Sequence, residues 1–350
     1  MRSAIIAATA KGAKLGQVVQ ENLPTDMPVH LYVKNEVLPQ YADDNVFGYE
    51  KLSTAIKENF AAYDALILIM ASGIAVRMLA PMIKDKLKDP AVIVMDEGGK
   101  FAISLLSGHI GGANELARLI AAKTRALPVI TTATDVGGLM APDAVAAKLN
   151  LKPTPRKNIE KLNSAVLAGR EISYYVSPKL NNCNFYVKSL KKMGIAVKVE
   201  RPNNEELAVF VTDESLDADN ILLLRPRRLI AGIGCRRGTT AEEILAALSD
   251  ACGRIGRSLE FVDKIASTEV KAKEAGLIAA AKKLNVPLEF YENEILAKII
   301  KEKKLVESDF VKKTIGIGNV AESAALVTDG ILALAKTKYE KVTVALVWEK

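Results

Sequence analysis

Short apolar runs alternate with stretches of helical periodicity from the first residues onward, the pattern of successive βαβ units around a parallel sheet. Ser3–Ala7, Val29–Val33, Ala65–Ile69, Ala91–Met95, Phe101–Leu105 and Val129–Thr131 read as strands. The segments between them predict helices over Gly12–Asn22, Gly48–Phe60, Ile74–Leu79, Ala113–Lys123 and Leu139–Leu149. In the helix from Ala113, Leu116, Leu119, Ile120 and Lys123 recur at three- and four-residue spacing, so one apolar stripe with a lysine at its margin faces the core.

Leu151–Arg156, with Pro153 and Pro155 among basic residues, reads as a boundary. Beyond it, Ser173–Val176, Ile195–Val199, Leu207–Val211 and Ile221–Leu224 are short β-rich segments separated by polar turns. Arg225–Arg228 marks a second boundary, after which the alternation resumes. Strands are expected at Leu229–Ile233, Phe261–Ala266, Leu288–Phe290, Thr314–Ile317 and Thr343–Val347, and helices at Ala241–Cys252, Lys273–Leu284, Glu292–Lys301 and Val320–Ala335. The expected fold class is α/β. Two α/β end domains (1–150 and 228–350), with mostly parallel sheets and glycine-rich strand-to-helix loops, are joined by a small α+β middle domain (151–227).

A chain of 350 residues is long for a single core, and 49% hydrophobic with 25% charged residues is a globular composition. Aromatic residues make up 5%, so the core must be aliphatic. Lys and Arg number 48 against 41 Asp and Glu, a net charge of +7 that favours anionic partners. There is no block of five or six like charges, no basic tail and no RNA-binding aromatic signature, so a small anionic ligand is expected rather than nucleic acid. Cys183, Cys235 and Cys252 are an odd number without CxxC spacing. They argue against a disulfide framework and a zinc site and fit a reducing, cytoplasmic compartment. His30 and His109 are the only histidines, which excludes a His-rich metal centre. Ser3–Ala10 is short and followed at once by Lys11 and Lys14, so it reads as a first strand and helix rather than a leader. Ala65–Met70 is too short to cross a bilayer, and no membrane partner is expected.

Five loops carry candidate chemistry. In Leu106–Glu115 a strand runs into Ser107, Gly108, Gly111 and Gly112, and a helix leaves from Ala113 and Asn114. Ligands of open α/β sheets collect outside the carboxyl ends of strands, and amides at a helix start favour negative charge. His109 is the one well-placed side chain here that titrates near neutrality, with Glu115 one turn on to orient it or to act itself. The alternative is a tight turn in which His109 caps a carbonyl and Glu115 complements the helix dipole. In Gly232–Thr240, Gly234, Cys235, Arg236, Arg237, Gly238 and Thr239 precede a helix marked by the capping-box spacing of Thr240 and Glu243. Paired arginines beside helix-start amides suit carboxylates or phosphates, although neither P-loop nor dinucleotide spacing is present. Cys235 lies where a thiolate would be stabilised, or is a small packed residue. Gly316, Gly318 and Asn319 form a third loop, and Ser72, Gly73 and Arg77 a fourth. Thr132, Thr134 and Asp135 follow the strand after the His109 helix, as ligands or as turn formers. Lys271 and Glu274 stand at a helix start, where a salt bridge explains them as well as catalysis does.

Several of these motifs together resemble a known family. Ala71–Arg77, Ala80-Pro81, Lys84-Asp85-Lys86, Asp89-Pro90-Ala91-Val92 and Asp96-Glu97-Gly98-Gly99 are similar to the N-terminal domain of the CbiG family of cobalamin biosynthesis, the cobalt-precorrin 5A hydrolases. Leu106–Glu115 and Pro128–Asp135 continue the match. The C-terminal third resembles the family's other signature domain through Gly232–Thr239, Ala266-Ser267, Lys271-Ala272, Glu274, Gly276-Leu277, Pro287-Leu288, Gly316–Glu322 and Lys338–Val347. Glu269 stands where the family usually carries Asp, and Lys273 where another acidic residue is usual.

The resemblance implies an enzyme acting on a ring-contracted cobalt macrocycle in the anaerobic route to the corrin ring. Water opens a δ-lactone on ring A, and the extruded carbon leaves with its methyl group as acetaldehyde. It implies no cofactor, since cobalt arrives in the substrate, and an anionic cobalt-precorrin as the partner. Neighbouring enzymes of the route and a homodimer stay open as further partners. A non-catalytic corrinoid carrier and a phosphate-ester or nucleotide-sugar enzyme are the alternatives.

Overall fold

The computed structural model describes residues 1–24, 27–85, 88–132, 140–216 and 219–349. The chain forms two compact units. One comprises Ser3–Leu23 and Val29–Arg227, and the other Met1–Arg2, Pro24–Pro28 and Arg228–Lys350.

The first unit holds two sheets. Its larger sheet has the order β3-β2-β1-β4-β5-β6-β7, built from β1 (Ser3–Ala7), β2 (Val29–Lys34), β3 (Val46–Tyr49), β4 (Ala65–Ile69), β5 (Ala91–Met95), β6 (Phe101–Leu106) and β7 (Leu127–Val129). Strands β1, β4 and β5 are buried throughout, as central parallel strands covered on both faces must be. Helices α1 (Ala10–Asn22), α2 (Leu52–Ala62), α3 (Ser72–Leu79) and α4 (Ala113–Thr124) connect them. Of the stripe expected on α4, Leu116 and Ile120 are buried, Leu119 is half-buried and Lys123 is exposed, with Ala117 and Ala121 completing the buried face. The helix expected from Gly48 starts at Leu52, because Val46–Tyr49 pairs as edge strand β3.

One reversal governs the site. All neighbours in this sheet are parallel except β5 and β6, which run antiparallel with Val92 opposite Leu106 and Met95 opposite Ala102. The loop leaving β6 therefore emerges where β5 begins, at the opposite edge from the loops that follow β1, β4 and β5.

The smaller sheet has the order β10-β9-β11-β12-β8, from β8 (Leu151–Thr154), β9 (Ser173–Val176), β10 (Val197–Lys198), β11 (Ala208–Val211) and β12 (Ile221–Pro226). Four strands are parallel, and β8 lies antiparallel at the edge. Leu151–Arg156 is thus not a bare connection: its prolines are tolerated because the strand they join is an edge strand. Helices α5 (Pro142–Leu149), α6 (Arg156–Leu167) and α7 (Cys183–Lys192) accompany this sheet. The last two went unread in the sequence; each buries a narrow face, Asn158, Ile159, Leu162 and Ala165 in one and Tyr186 and Leu190 in the other.

The second unit carries the sheet β15-β14-β13-β17-β16, from β13 (Leu229–Cys235), β14 (Val262–Thr268), β15 (Leu288–Tyr291), β16 (Gly330–Lys338) and β17 (Val342–Glu349). Its helices are α8 (Ala241–Arg254), α9 (Ala275–Leu284), α10 (Asn293–Glu302), α11 (Asp309–Ile315) and α12 (Ala321–Leu326). The Thr240–Glu243 capping box is present at the start of α8. Two expectations fail here. Thr314 and Ile315 end α11, with Gly316 and Ile317 in the loop beyond it rather than in a strand, and the helix expected over Val320–Ala335 stops at Leu326. Asp329, with φ 48°, and Gly330 turn the chain into β16, whose apolar residues alternate in burial. Among the described residues no helix is long and apolar enough to cross a membrane.

Candidate functional site

The loop after β6 is held in shape by its own residues. Ser107 adopts φ 57° and donates from Oγ to the Asp89 carbonyl at 3.0 Å, against the start of β5. The amides of Ala113 and Asn114 donate back to the carbonyls of Ser107 and Gly108, and the Gly112 amide to His109. A Cβ on Gly111 would stand 2.3 Å from the Ser107 Cβ, so only glycine permits this closure. Asn114 is 2% exposed. Its Oδ1 accepts from Ser104 Oγ at 2.7 Å, and its Nδ2 donates to Thr132 Oγ1 at 3.1 Å. Asn114 and Thr132 therefore tie the ends of β6 and β7 together, and Asn114 is too buried to reach a ligand.

His109 is brought against a residue that the sequence reading did not single out. Its Nδ1 lies 3.1 Å from Asp143 Oδ1, with the side chains 11% and 7% exposed. The approach is a close electrostatic contact rather than a well-aligned hydrogen bond. Asp143 occupies the first turn of α5, behind Pro142, where a carboxylate also complements the helix dipole. The sequence signal was present in Pro142-Asp143, an ordinary helix start. Nothing in it indicated that His109 would come to meet this carboxylate. Glu115, proposed as the partner of His109, is instead exposed and paired with Arg118 one turn along α4 at 2.8 Å. Thr134 and Asp135 lie outside the described residues. The other histidine, His30, is buried and holds Tyr63 Oη at 2.5 Å, with Tyr32 and Phe47 packed around it. It is a core residue.

Ser72, Gly73 and Arg77 are exposed on the first turns of α3, at the edge where β4 ends. A five-residue strand spans about 17 Å, so this group and His109 lie a strand length apart across the sheet. They do not form one pocket, because the antiparallel β6 carried the glycine loop to the other edge. Thr9 and Glu97 sit with the α3 group's edge, bonded Oγ1 to Oε1 at 2.6 Å.

In the second unit the loops after β13 and β14 converge. Glu274 accepts from the Gly238 amide at 3.2 Å and from Lys271 Nζ at 3.1 Å, which ties the two loops together. Burial opposes its charge, but the Gly238 amide and the Lys271 ammonium outweigh it, and the Glu274 carboxyl is lowered. Burial pushes the Cys235 thiol up despite Lys271 nearby, which favours the packed cysteine over the stabilised thiolate, the other of its two readings. Arg236 and Arg237 are exposed, and their guanidinium groups make no hydrogen bond or ion pair among the described residues. Thr239 is buried and donates to the Arg236 carbonyl, shaping the loop from within.

Two glycines near this loop serve packing. A Cβ on Gly232 would meet the Ala321 carbonyl oxygen at 1.8 Å, and one on Gly276 the Thr239 carbonyl oxygen at 1.9 Å. Gly234 lies against Thr343. The Gly316–Asn319 loop is likewise engaged by the fold. Asn319 is 1% exposed and bonds Val306 and Glu322, Gly318 donates to Glu307, and Asn293 donates to Ile315 beside Gly316. Among the described residues, no group of three or more His, Cys, Asp or Glu side chains is placed to hold a metal ion.

Two family models match the chain: cobalamin synthesis G N-terminal over residues 54–135, and cobalamin synthesis G C-terminus over residues 229–347. A cobalt-precorrin-5A hydrolase of Priestia megaterium is 34% identical over 304 residues, covering 82% of this chain and 79% of that protein. One from Salmonella typhimurium is 35% identical over 311 residues, 83% of each. The crystal structure of a cobalamin biosynthesis protein G homologue from Sulfolobus solfataricus superposes with a TM-score of 0.60 at 22% identity, over 100% of this chain and 97% of that one, and so shares its fold. The conserved order of both signature domains, the extent of the match and the common architecture establish that this chain belongs to the CbiG family of cobalamin synthesis proteins.

Proposed function

We propose that the chain is a cobalt-precorrin-5A hydrolase, like the curated relatives it matches over more than four fifths of its length. It acts in the cytoplasm on a cobalt macrocycle that brings its own metal. The observation that carries the site assignment is the 3.1 Å contact of His109, in the glycine loop, with Asp143 of α5. A carboxylate held on Nδ1 orients the imidazole and favours a basic Nε2, the arrangement of a general base. In this reading His109 takes a proton from water as its oxygen adds to the lactone carbonyl. The ring A acetate leaves with the water oxygen. The ester oxygen stays on the extruded carbon and becomes the carbonyl oxygen of acetaldehyde as the bond to the macrocycle breaks, and the electron pair left on the ring is protonated. The Gly111 amide, which makes no hydrogen bond among the described residues, is a backbone donor left for developing negative charge. That of Gly112 is engaged by His109. We further propose that the three sheets correspond to three domains, 1–150, 151–227 and 228–350.

The test is acetaldehyde release from cobalt-precorrin-5A. His109→Ala should lose about 100-fold or more in kcat, the usual contribution of a positioned base, and full release with unchanged binding would refute the assignment. Binding of the macrocycle by the unaltered protein without release would make it a carrier. On the C-terminal unit, Arg236 and Arg237 are proposed as a carboxylate clamp. Replacing both with Gln should weaken affinity and flatten its salt dependence, and unchanged values for both would exclude the clamp.

A further inference from the structure

We propose that Arg156 anchors a peripheral carboxylate of the macrocycle at the His109 site, exchanging its resting partner Asp85 for the substrate. The inference rests on the reading of the His109 loop as the hydrolytic site. A circuit of contacts joins Arg156 to that loop. Ser107, which opens the loop, donates to the Asp89 carbonyl at 3.0 Å. Asp89 Oδ2 accepts from the amides of Lys84 and Asp85 at 2.8 and 2.9 Å, and Asp85 Oδ2 accepts from Arg156 Nη1 at 3.1 Å. On the other side, His109 lies 3.1 Å from Asp143 of α5, and α5 packs on β8 and on α6, the helix that Arg156 opens. His109 and Arg156 are therefore two points of one closed circuit, which links loops of the larger sheet to helices of the smaller one.

Neither its helix nor its ion pair accounts for an arginine at this position. Arg156 is the first residue of α6, whose first turn holds no acidic residue and whose cap, Pro155, makes no side-chain bond. The helix dipole favours an anion at that end, so a cation there works against the helix. The pair with Asp85 contributes little in return. It is a single-point contact with the arginine side chain 54% and the aspartate 22% exposed, and ion pairs open to solvent are weak. Among the described residues the guanidinium makes no other hydrogen bond or ion pair, so its remaining donors are open to a planar, two-pronged acceptor. A carboxylate on the rim of an anionic macrocycle is such an acceptor, and it gains two parallel bonds where Asp85 has one. The Asp85 amide stays bonded to Asp89, so the arginine is released without loss of the loop's shape.

The experiment compares Arg156→Gln with Asp85→Asn in steady-state acetaldehyde release from cobalt-precorrin-5A, with thermal unfolding alongside. Arg156→Gln should raise KM about 10-fold, the scale of a lost charge-assisted bond, and its effect should fall on KM rather than on kcat. The salt dependence of KM should flatten with it. Asp85→Asn removes the competing carboxylate and should lower KM by about two- to threefold. The opposite signs are what separate an anchor from a brace, because both substitutions break the same ion pair. A KM that moves in the same direction in both variants, with a common loss of melting temperature, overturns the proposal, and so does an unchanged KM for Arg156→Gln. If His109→Ala keeps full release, the reading of the site falls and this inference with it. If His109→Ala is inactive while Arg156→Gln binds and turns over as the parent does, only the role of Arg156 is rejected.

Discussion

Replacing Gly232 with Ala asks whether the glycines of the C-terminal loop cradle a ligand or let two elements pack. The added Cβ would stand 1.8 Å from the Ala321 carbonyl oxygen, 2.8 Å from its carbon and 2.9 Å from the Ala325 Cβ. Relaxed contacts between such atoms lie near 3.5 Å, so α12 would have to retreat by roughly 1.7 Å. Every residue of Ala321–Leu326 is buried, and the helix has no solvent side to move into. Overpacking of a core costs about 1–3 kcal/mol. An unyielding backbone contact belongs at the upper end, near 3 kcal/mol, which lowers the unfolding temperature of the unit by on the order of 10 °C. Gly238→Ala is the control. No atom lies within 4 Å of its Cβ position, and only its φ of 74° is unfavourable, a cost of about 1–2 kcal/mol. Calorimetry of both variants at one scan rate measures the difference. A Gly232→Ala protein melting within about 2 °C of the parent, or less perturbed than Gly238→Ala, would refute the packing account.

Three further outcomes are expected. Asp143→Asn should reduce kcat by about 10- to 100-fold, the scale of a charge-assisted contact, while Glu115→Gln leaves acetaldehyde release unchanged; the reverse ranking would reassign the partner of His109. The Lys341 ammonium and the Thr240 amide hold the Glu243 carboxyl down at about 2 from an ordinary 4.5. Its folded pKa is therefore depressed, and its contribution is present above about pH 4.5 and lost as pH falls toward 2. Melting temperatures of the parent and Glu243→Gln should differ at neutral pH and converge over that window. Burial pushes the Cys252 thiol up to about 12. It should resist alkylation at pH 8 until denaturant is added, which mass spectrometry of the labelled peptides will read.

The α/β class and most central strands were legible because buried parallel strands write themselves as continuous apolar runs, as in Ala65–Ile69 and Ala91–Met95. The edge strands β3, β8 and β16 were not. Leu151–Thr154 carries a proline that an edge strand tolerates, and Gly330–Lys338 follows a helix with only Asp329-Gly330 to mark the turn. At the site, His109 and its loop were legible from composition, but the partner was not. Glu115 is near in sequence, whereas Asp143 is near only after β7 and α5 bring the chain back. The separation of Ser72 and Arg77 from His109 was hidden for a related reason: nothing local announces that β6 runs against β5. Burial likewise separated residues that look alike in sequence. Asn114 and Asn319 serve the fold, while Arg236 and Arg237 face solvent.

The antiparallel placement of β6 also bears on how the protein opens. The His109 loop hangs from the β6–β7 margin, where β7 is three residues long and Leu127 is 59% exposed, and not from the sealed strands β1, β4 and β5. Amide exchange should therefore proceed in two tiers, with the β6–β7 margin and its loop exchanging through a local, low-energy opening while the central strands wait for global unfolding. If the proposed site is the right one, such a margin would admit a bulky macrocycle by yielding at its edge while the central strands stay closed.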